Sequence, residues 1–205
     1  MASQPVPKVT GRKPRYRITS SYGHSVVLSL LMLAQLSAPL LSQSLSSPPL
    51  PHDPEHAERA RHWCGIHLSR NELVAALSDC DYAVARDPKD SAALSNRGSV
   101  WLAANEPSRA LRDFDAAIKL SPHDPELHFN RAIAHGRLGN GERAIADYTE
   151  AIRLNPDFSI AYHNRGVEFE QRGRLDDARA DFEHALRISP DLAPARQGLR
   201  RAKRP

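Results

Sequence analysis

The sequence lacks the motifs that most often carry catalysis or bind metals and phosphates. Its 205 residues include only two cysteines, two methionines and ten glycines. They contain no H-E-x-x-H zinc motif, no C-x-x-C pair and no glycine-rich phosphate loop. Serine, histidine and aspartate are common, but no nucleophile stands out with a matching base. We therefore expect neither an enzyme nor a cofactor or metal site.

Acidic residues are absent from the first 44 positions, which makes the charge of the chain uneven. That segment holds five of the 28 basic residues, so the rest of the chain carries 23 basic and 24 acidic residues. A nucleic-acid surface needs concentrated positive charge, and no RNA- or DNA-binding motif is present. The Arg-rich end (Arg196, Arg200, Arg201, Lys203, Arg204) is predicted to belong to a short amphipathic helix. We expect no nucleic-acid partner.

The N-terminal residues 1–44 have the pattern of an export signal. A basic stretch ends at Arg17, an apolar run covers Val26–Leu41, and small residues follow. The run is at the short limit for crossing a bilayer, so two alternatives stay open: a cleaved signal or an uncleaved anchor. Both put the following residues outside the cytoplasm, because the basic flank stays inside, and we expect that compartment to be a periplasm. Residues 45–56 are predicted to be a Pro/Ser-rich linker and the start of a helix.

The most informative feature that is present is a 34-residue period. Four prolines recur at this spacing, together with columns of small and of apolar residues. The columns are Pro88, Pro122, Pro156, Pro190; Ala76, Ala110, Ala144, Ala178; Ala83, Ala117, Ala151, Ala185; Cys80, Phe114, Tyr148, Phe182; and Cys64, Gly98, Ala132, Gly166. A fixed period in this range is typical of stacked repeat arrays, whose units cannot bury their apolar faces alone. We expect four repeats, over residues 57–90, 91–124, 125–158 and 159–192.

Each repeat is predicted to be a pair of short helices. In the third repeat, Asp124 is placed to cap a first helix that starts at Pro125 and ends near Gly139. A second helix is expected over residues 142–154, because a proline disfavours the helical conformation of the residue before it. A last helix over about residues 193–203 would close the array, followed by a basic tail to residue 205.

These columns resemble the tetratricopeptide repeat (TPR), a helix–turn–helix unit of 34 residues with a small residue, A-x3-F-x2-A and a proline in fixed register. The resemblance implies an all-α, right-handed superhelical solenoid. It also implies a non-catalytic protein-binding role and first helices that line a concave surface. One departure is that arginine stands where the family's leucine is expected, at Arg97, Arg131 and Arg165, with Trp63 in the first unit.

Asparagines recur on the first helices at Asn96, Asn130 and Asn164. Asparagine offers a donor and an acceptor, so such a ladder can pair with the backbone of an extended peptide, as it does in some TPR proteins. The alternative is that these side chains bond to adjacent helices. The same face is expected to present an apolar groove with polar points. The groove residues are Leu102, Phe129, Ile133, Ile160 and Val167, with Ser95, Ser99, His163 and Glu170.

Each of the three arginines is followed 16 residues later by an aspartate, at Asp113, Asp147 and Asp181, and Asp79 is the same column in the first unit. An arginine in a core position needs a partner because a lone buried charge is very costly. We predict ion pairs that join helices within or between repeats.

The two cysteines, Cys64 and Cys80, occupy columns that we expect to face each other across the first hairpin. In an oxidising compartment they would form a disulfide. The alternative is a pair of buried thiols that pack as small hydrophobic residues. Histidines raise a similar choice: His128 and His135 share a helix face and, with His163, could ligate a metal, but packed structural histidines are favoured.

The function that the sequence favours is an exported adaptor that grips a protein or an extended peptide in its groove. A second hypothesis is an architectural module that docks by its edge or convex face into a cell-envelope assembly. A third is a cytosolic co-chaperone that clamps acidic C-termini, which is disfavoured because the predicted groove contains no lysine. The sequence does not indicate an oligomeric state.

Overall fold

The computed structural model describes residues 54–203. Within that range the chain folds into nine α-helices and contains no strand. The helices are α1 (Pro54–Ser69), α2 (Leu73–Arg86), α3 (Ser91–Ala103), α4 (Pro107–Leu120), α5 (Pro125–Arg137), α6 (Gly141–Leu154), α7 (Ser159–Gln171), α8 (Leu175–Ile188) and α9 (Ala193–Ala202).

The first helix of every hairpin ends in the same way. The second residue after each of these helices has a positive φ: Asn71 (59°), Asn105 (60°), Gly139 (76°) and Gly173 (74°). Asparagine and glycine are the residues that adopt this left-handed conformation most readily. The next N–H then bonds back to a carbonyl in the last turn, as from Glu72 to His67 at 2.8 Å and from Arg174 to Phe169 at 3.0 Å. This cap stops the helix and turns the chain.

Aspartates cap two of the helix starts. Asp90 accepts hydrogen bonds from the N–H groups of Ala92 and Ala93, and Asp124 accepts one from Glu126. Pro125 follows Asp124 at the first helical position, where its missing N–H costs nothing. Helix α5 therefore begins at Pro125 with Asp124 as its cap.

The core of each hairpin is built from the alanine columns and one large side chain. The eight column alanines are at most 1% exposed, and Phe114 and Phe182 are fully buried. The helices approach so closely that a Cβ added at Gly98 would lie 2.7 Å from the Phe114 ring, and one at Gly166 would lie 2.8 Å from Phe182. The small residues are thus required by their aromatic neighbours.

Consecutive helices pack against each other, and the odd-numbered helices also contact one another: α1 with α3, α3 with α5, and α7 with α9. Among the described residues, the even-numbered helices make no comparable contacts. The row of odd helices is therefore the tighter, inner side of the stack. The all-α repeat fold predicted from the sequence is confirmed.

Residues 1–53, which include the predicted export signal and most of the linker, lie outside the described range. Within residues 54–203 no helix is long and apolar enough to cross a bilayer. Helix α9 occupies the place expected for a closing helix, and its Gly198 lets it approach Phe182, since a Cβ there would be 2.6 Å from the ring.

Candidate peptide-binding groove

The three ladder asparagines lie on α3, α5 and α7, the helices of the inner row, and each is half-buried. Asn96 donates from Nδ2 to the carbonyl of Arg61 at 3.4 Å, which is a weak bond to the preceding hairpin. The Asn164 side chain bonds to the hydroxyl of Tyr148. Within the described part of the chain, Asn130 makes no side-chain hydrogen bond. The ladder is therefore partly engaged internally, and Asn130 is its most available member.

The N-terminal end of the groove is an open cleft of about 770 Å³ between α1 and α3. Asn96 lines it together with Gly65, which has no side chain, and Ala92, whose side chain is a single methyl group. No atom lies within 4 Å of a Cβ built on Gly65. The remaining lining residues are polar or charged: Glu55, Glu58, Arg59, Arg61 and His62. This end of the groove offers room and polar groups.

The C-terminal half of the groove contains a set of aromatic and aliphatic side chains. Phe129 packs against Phe158, with ring centroids 4.9 Å apart, and against Tyr148 at 5.7 Å. Ile133 and Val167 are partly buried against the core clusters next to it. Ser99 lies further toward the N-terminus and donates its hydroxyl to the Ser95 carbonyl at 3.0 Å. Phe129, Ile133 and Val167 thus leave a partly exposed apolar strip.

Leu102 does not belong to this strip, so that part of the prediction needs correction. The residue is only 7% exposed and packs with Ala110, Phe114 and Ala134 in the core. Its carbonyl also accepts a bond from Nη1 of Arg137 on the next inner helix. Position within the repeat placed Leu102 correctly on its helix, but the next hairpin covers it.

Charged groups in the inner row are engaged with one another. Arg61 lies 3.4 Å from Asp90 and 3.7 Å from Glu58. Glu170 forms a two-bond ion pair with Arg201 of α9, at 2.8 and 2.7 Å. Beyond its charged N-terminal cleft, the groove therefore presents amides, hydroxyls and apolar surface rather than a set of unpaired charges. These groups match the backbone of a peptide better than a charged terminus.

Burial shifts two titrating groups beside the groove. The pKa of Tyr148 is raised, mainly because the hydroxyl is buried. The pKa of His163 is lowered from 6.5, first by burial and then by the positive charge of Arg201. At neutral pH the His163 ring is therefore neutral, and its Nδ1 is buried without a hydrogen-bond partner in the described structure. The groove contributes no positive charge at this point.

The predicted arginine and aspartate columns meet as two-bond ion pairs. Arg97 donates to Asp113 at 2.9 and 2.7 Å, Arg131 to Asp147 at 2.8 and 2.7 Å, and Arg165 to Asp181 at 2.8 and 2.8 Å. All three carboxylates are buried. Hydrogen bonding to Asp147 is the main reason why the pKa of Arg131 is raised. Each pair joins the two helices of one hairpin.

Each arginine also reaches back to the preceding hairpin, a contact that sequence reasoning missed. The Nη1 atoms bond to Asp81 at 3.1 Å, Asp115 at 2.8 Å and Thr149 at 2.9 Å. The signal was available, since these acceptors recur every 34 residues and precede their arginines by 16. The arginines therefore link hairpins as well as helices.

In the first unit the aspartate of this column pairs with a histidine instead of an arginine. Asp79 has no arginine partner because Trp63 occupies that column, and it bonds instead to Nδ1 of His67 at 2.7 Å. The Trp63 ring stacks on His67 with centroids 5.7 Å apart. Asp79 thus keeps a structural partner, although the sequence did not identify it.

Comparison with known proteins decides the family. A profile for the tetratricopeptide repeat matches residues 66–125 and 129–193, more than half of the chain. The chain belongs to the tetratricopeptide repeat family. No match was found among curated proteins.

Solved TPR structures share the superhelical fold. The chain is similar to the MamA protein, with a TM-score of 0.66 and 19% identity over 73% of this chain and 82% of that one. It is also similar to YrrB, a TPR protein with an unusual peptide-binding site, with a TM-score of 0.61 and 22% identity over 74% and 76%. The first TPR domain of Spaghetti (RPAP3), bound to the HSP90 peptide SRMEEVD, gives a TM-score of 0.55 and 27% identity over 57% and 92%.

The cysteines of the first TPR hairpin are placed for bonding to each other. Cys64 and Cys80 are fully buried, and their Cα atoms lie 5.3 Å apart, within the range of disulfides. They occupy the columns in which Gly98 contacts Phe114 in the next TPR unit. The close approach of the two helices, which requires a glycine in the second hairpin, brings the two cysteine side chains together in the first hairpin.

The histidines of the third TPR unit surround a single carboxylate. His128 Nδ1 and His135 Nε2 each lie 3.9 Å from Asp147, and His128 Nε2 bonds to the Pro122 carbonyl at 3.0 Å. Burial lowers the pKa of His135. Among the described residues no three His, Cys, Asp or Glu side chains are grouped to hold a metal. The Nδ1 atoms of both rings are buried without a hydrogen-bond partner in the described structure.

Proposed function

We propose that this TPR protein is a non-catalytic adaptor that holds an extended peptide segment of a partner protein in its concave groove. The observation that carries this proposal is the inner row of helices, which has the Asn96 cleft near its N-terminal end and the partly exposed side chains of Phe129, Ile133 and Val167 further along. Ladder amides would pair with the peptide backbone, and the strip would receive apolar side chains. The similar first TPR domain of Spaghetti (RPAP3), which is bound to an HSP90 peptide, supports this proposal.

Asn130 is the sharpest test of this groove. A peptide that binds the full chain is first selected from a random displayed library and then titrated by calorimetry. Asn130→Ala removes one donor and one acceptor, each worth about 0.5–1.5 kcal/mol, so affinity should fall about tenfold. Because Asn130 has no internal bond in the described structure, its loss should leave the melting temperature unchanged. Asn140→Ala, in an exposed turn, is the matched control and should bind like the wild type.

The triple change of Asn96, Asn130 and Asn164 to alanine should weaken binding further. It also removes the internal bonds of Asn96 and Asn164, so some stability should be lost as well. A large fall in melting temperature with unchanged peptide affinity would show that the ladder is structural and that the groove assignment is wrong.

We also propose that the repeats act outside the cytoplasm. The support is the acid-free basic segment that ends at Arg17 and the apolar run that follows it. Residues 1–60 fused to a reporter that works only after export should give activity, and a fusion that begins at Leu45 should give none. Activity confined to a cytoplasmic reporter would refute export.

The second candidate function is docking by the edge of the array. Its support is the first hairpin, where Trp63 is 47% exposed and Val74 is 88% exposed. Under this alternative, Trp63→Ser with Val74→Ser abolishes partner binding, whereas Asn130→Ala does not. The two variants together therefore decide between groove and edge.

A further inference from the structure

Two clefts open on a side of the inner helices that faces away from the groove. One, of about 410 Å³, is lined by Arg97, Trp101, Arg109, Arg112 and Asp113. The other, of about 320 Å³, is lined by Asp115, Arg131, His135, Arg143, Ala146 and Asp147. Five columns of the repeat contribute to both: Arg97 and Arg131, Trp101 and His135, Arg109 and Arg143, Arg112 and Ala146, and Asp113 and Asp147. The clefts are therefore the same feature in consecutive repeats, and we call them the outer clefts.

Helix geometry separates the outer clefts from the groove. Successive residues of an α-helix are rotated by about 100°. On α3, Trp101 therefore lies about 140° from Asn96 and about 160° from Ser99. Arg109 and Arg112 stand on α4, which is not in the inner row. A ligand in the groove does not reach these side chains.

The arginines of the first outer cleft divide into two kinds. Arg97 is neutralised by its bonds to Asp113 and Asp81. Arg109 has only a 3.9 Å approach to Glu106, and both of those side chains are about half exposed, at 51% and 54%. Arg112 is exposed and forms no ion pair within the described residues. Two positive charges of this cleft therefore remain for a ligand.

Trp101 prepares one of these arginines for binding. The guanidinium carbon of Arg109 lies 4.7 Å from the centroid of the Trp101 ring. Such stacking holds the planar group while leaving its N–H edges open, and those edges match a carboxylate with two parallel bonds. Arg97 and Asp113 show this geometry within the chain itself, at 2.9 and 2.7 Å.

The second outer cleft extends the pattern along the array. Arg131 is neutralised by Asp147 and Asp115, while Arg143 is exposed and forms no ion pair in the described structure. Asp115 lines the same cleft as Arg143, and the carboxylates of Asp81 and Asp115, which pair with Arg97 and Arg131, are each about half exposed. A continuous polyanion such as a nucleic acid would be repelled by them. Separate carboxylate side chains can engage Arg109, Arg112 and Arg143 one at a time.

We propose that the outer clefts bind an acidic segment of a partner protein, whose Asp and Glu carboxylates pair with Arg109, Arg112 and Arg143. The site is independent of the peptide groove. The array would then hold two segments at once, one on each side of its inner helices.

The test uses the full chain and a fluorescent 12-residue peptide of alternating glutamate and serine, followed by anisotropy. Wild type should bind this peptide, and a glutamine–serine peptide should not bind. Arg109→Gln with Arg112→Gln should weaken binding at least tenfold. Arg187→Gln with Arg200→Gln removes two exposed arginines elsewhere and should leave the affinity within twofold of wild type.

Two further measurements keep the proposal falsifiable. Asn130→Ala should bind the acidic peptide like the wild type, so a failure of the groove proposal is distinguished from a failure of this one. Equal losses in the two arginine pairs would show attraction to overall charge alone and would overturn the proposal. A single-stranded oligonucleotide is added as a competitor. If it binds more tightly than the acidic peptide and displaces it, the proposal is overturned in favour of a phosphate-binding surface.

Discussion

Removal of Arg131 tests the buried ion pairs most severely. Its two bonds to Asp147 and one to Asp115 are 2.7–2.8 Å long, and the side chains of Arg131 and Asp147 are 23% and 10% exposed. Arg131→Leu would leave the Asp147 carboxylate buried, with only His128 and His135 at 3.9 Å. Breaking a buried pair from one side costs about 3–5 kcal/mol. Because water reaches part of Arg131, we expect about 3 kcal/mol.

The assay is thermal and urea unfolding of the single variant beside two others. For a domain of this size, 3 kcal/mol corresponds to a fall of about 6–12 °C in melting temperature. Asp147→Asn added to Arg131→Leu removes the stranded charge and should recover about half of that loss. Arg153→Leu is the matched control, because Arg153 also forms a two-bond pair, with Glu150 at 2.8 and 2.6 Å, but on the exposed surface. If Arg131→Leu is no worse than Arg153→Leu, water solvates the arginines effectively and the structural role assigned to them is wrong.

Three further predictions follow from packing and titration. If the cysteines are bridged in the native protein, a reducing agent should lower the free energy of unfolding by about 3 kcal/mol. The variant Cys64→Gly with Cys80→Phe, which carries the residues of the next repeat, should be insensitive to the reducing agent. Equal sensitivity of the two proteins would exclude the bridge. Gly98→Ala should lower the free energy of unfolding by about 1–3 kcal/mol, because the new Cβ would lie 2.7 Å from the buried Phe114 ring. Gly65→Ala should be neutral or stabilising, because no neighbouring group lies within 4 Å of its Cβ. The reverse order of stabilities would contradict the packing. The pKa of His163 is lowered below 6.5 in the folded protein, so unfolding takes up a proton and the free energy of unfolding falls as the pH drops from 6.5 toward the lowered pKa. His163→Phe, the residue found at Phe129 in the preceding repeat, should therefore reduce the dependence of the melting temperature on pH in this range. An unchanged slope would contradict the lowered pKa of His163.

The fold was predictable because the period fixes several kinds of interaction at once. The proline and alanine columns locate each hairpin, and Gly139 and Gly173 mark the ends of two first helices, where φ is 76° and 74°. The other two ends use Asn71 and Asn105 in the same conformation, which glycine spacing alone does not reveal. The fold could therefore be predicted from short-range features, namely prolines, small residues and helix-ending residues, that repeat every 34 residues.

The candidate site was less predictable because it depends on which hairpin covers which side chain. Leu102 has the repeat position of a groove residue, yet the following hairpin buries it. The bonds from Asn96 to Arg61 and from Asn164 to Tyr148 join residues of different repeats. The pairing of Asp79 with His67 arises because one unit departs from the column pattern. Such contacts follow from three-dimensional stacking and not from spacing along one helix.

Site-specific cross-linking tests the central claim that the groove holds the peptide. A photo-reactive amino acid is placed at Ser99, on the inner row beside Asn96, and separately at Lys119, an exposed position on α4. With the selected peptide bound, illumination should give a covalent adduct from position 99 and none from position 119. An adduct from position 119 and none from position 99 would contradict peptide binding in the groove and place the partner on the even-numbered helices.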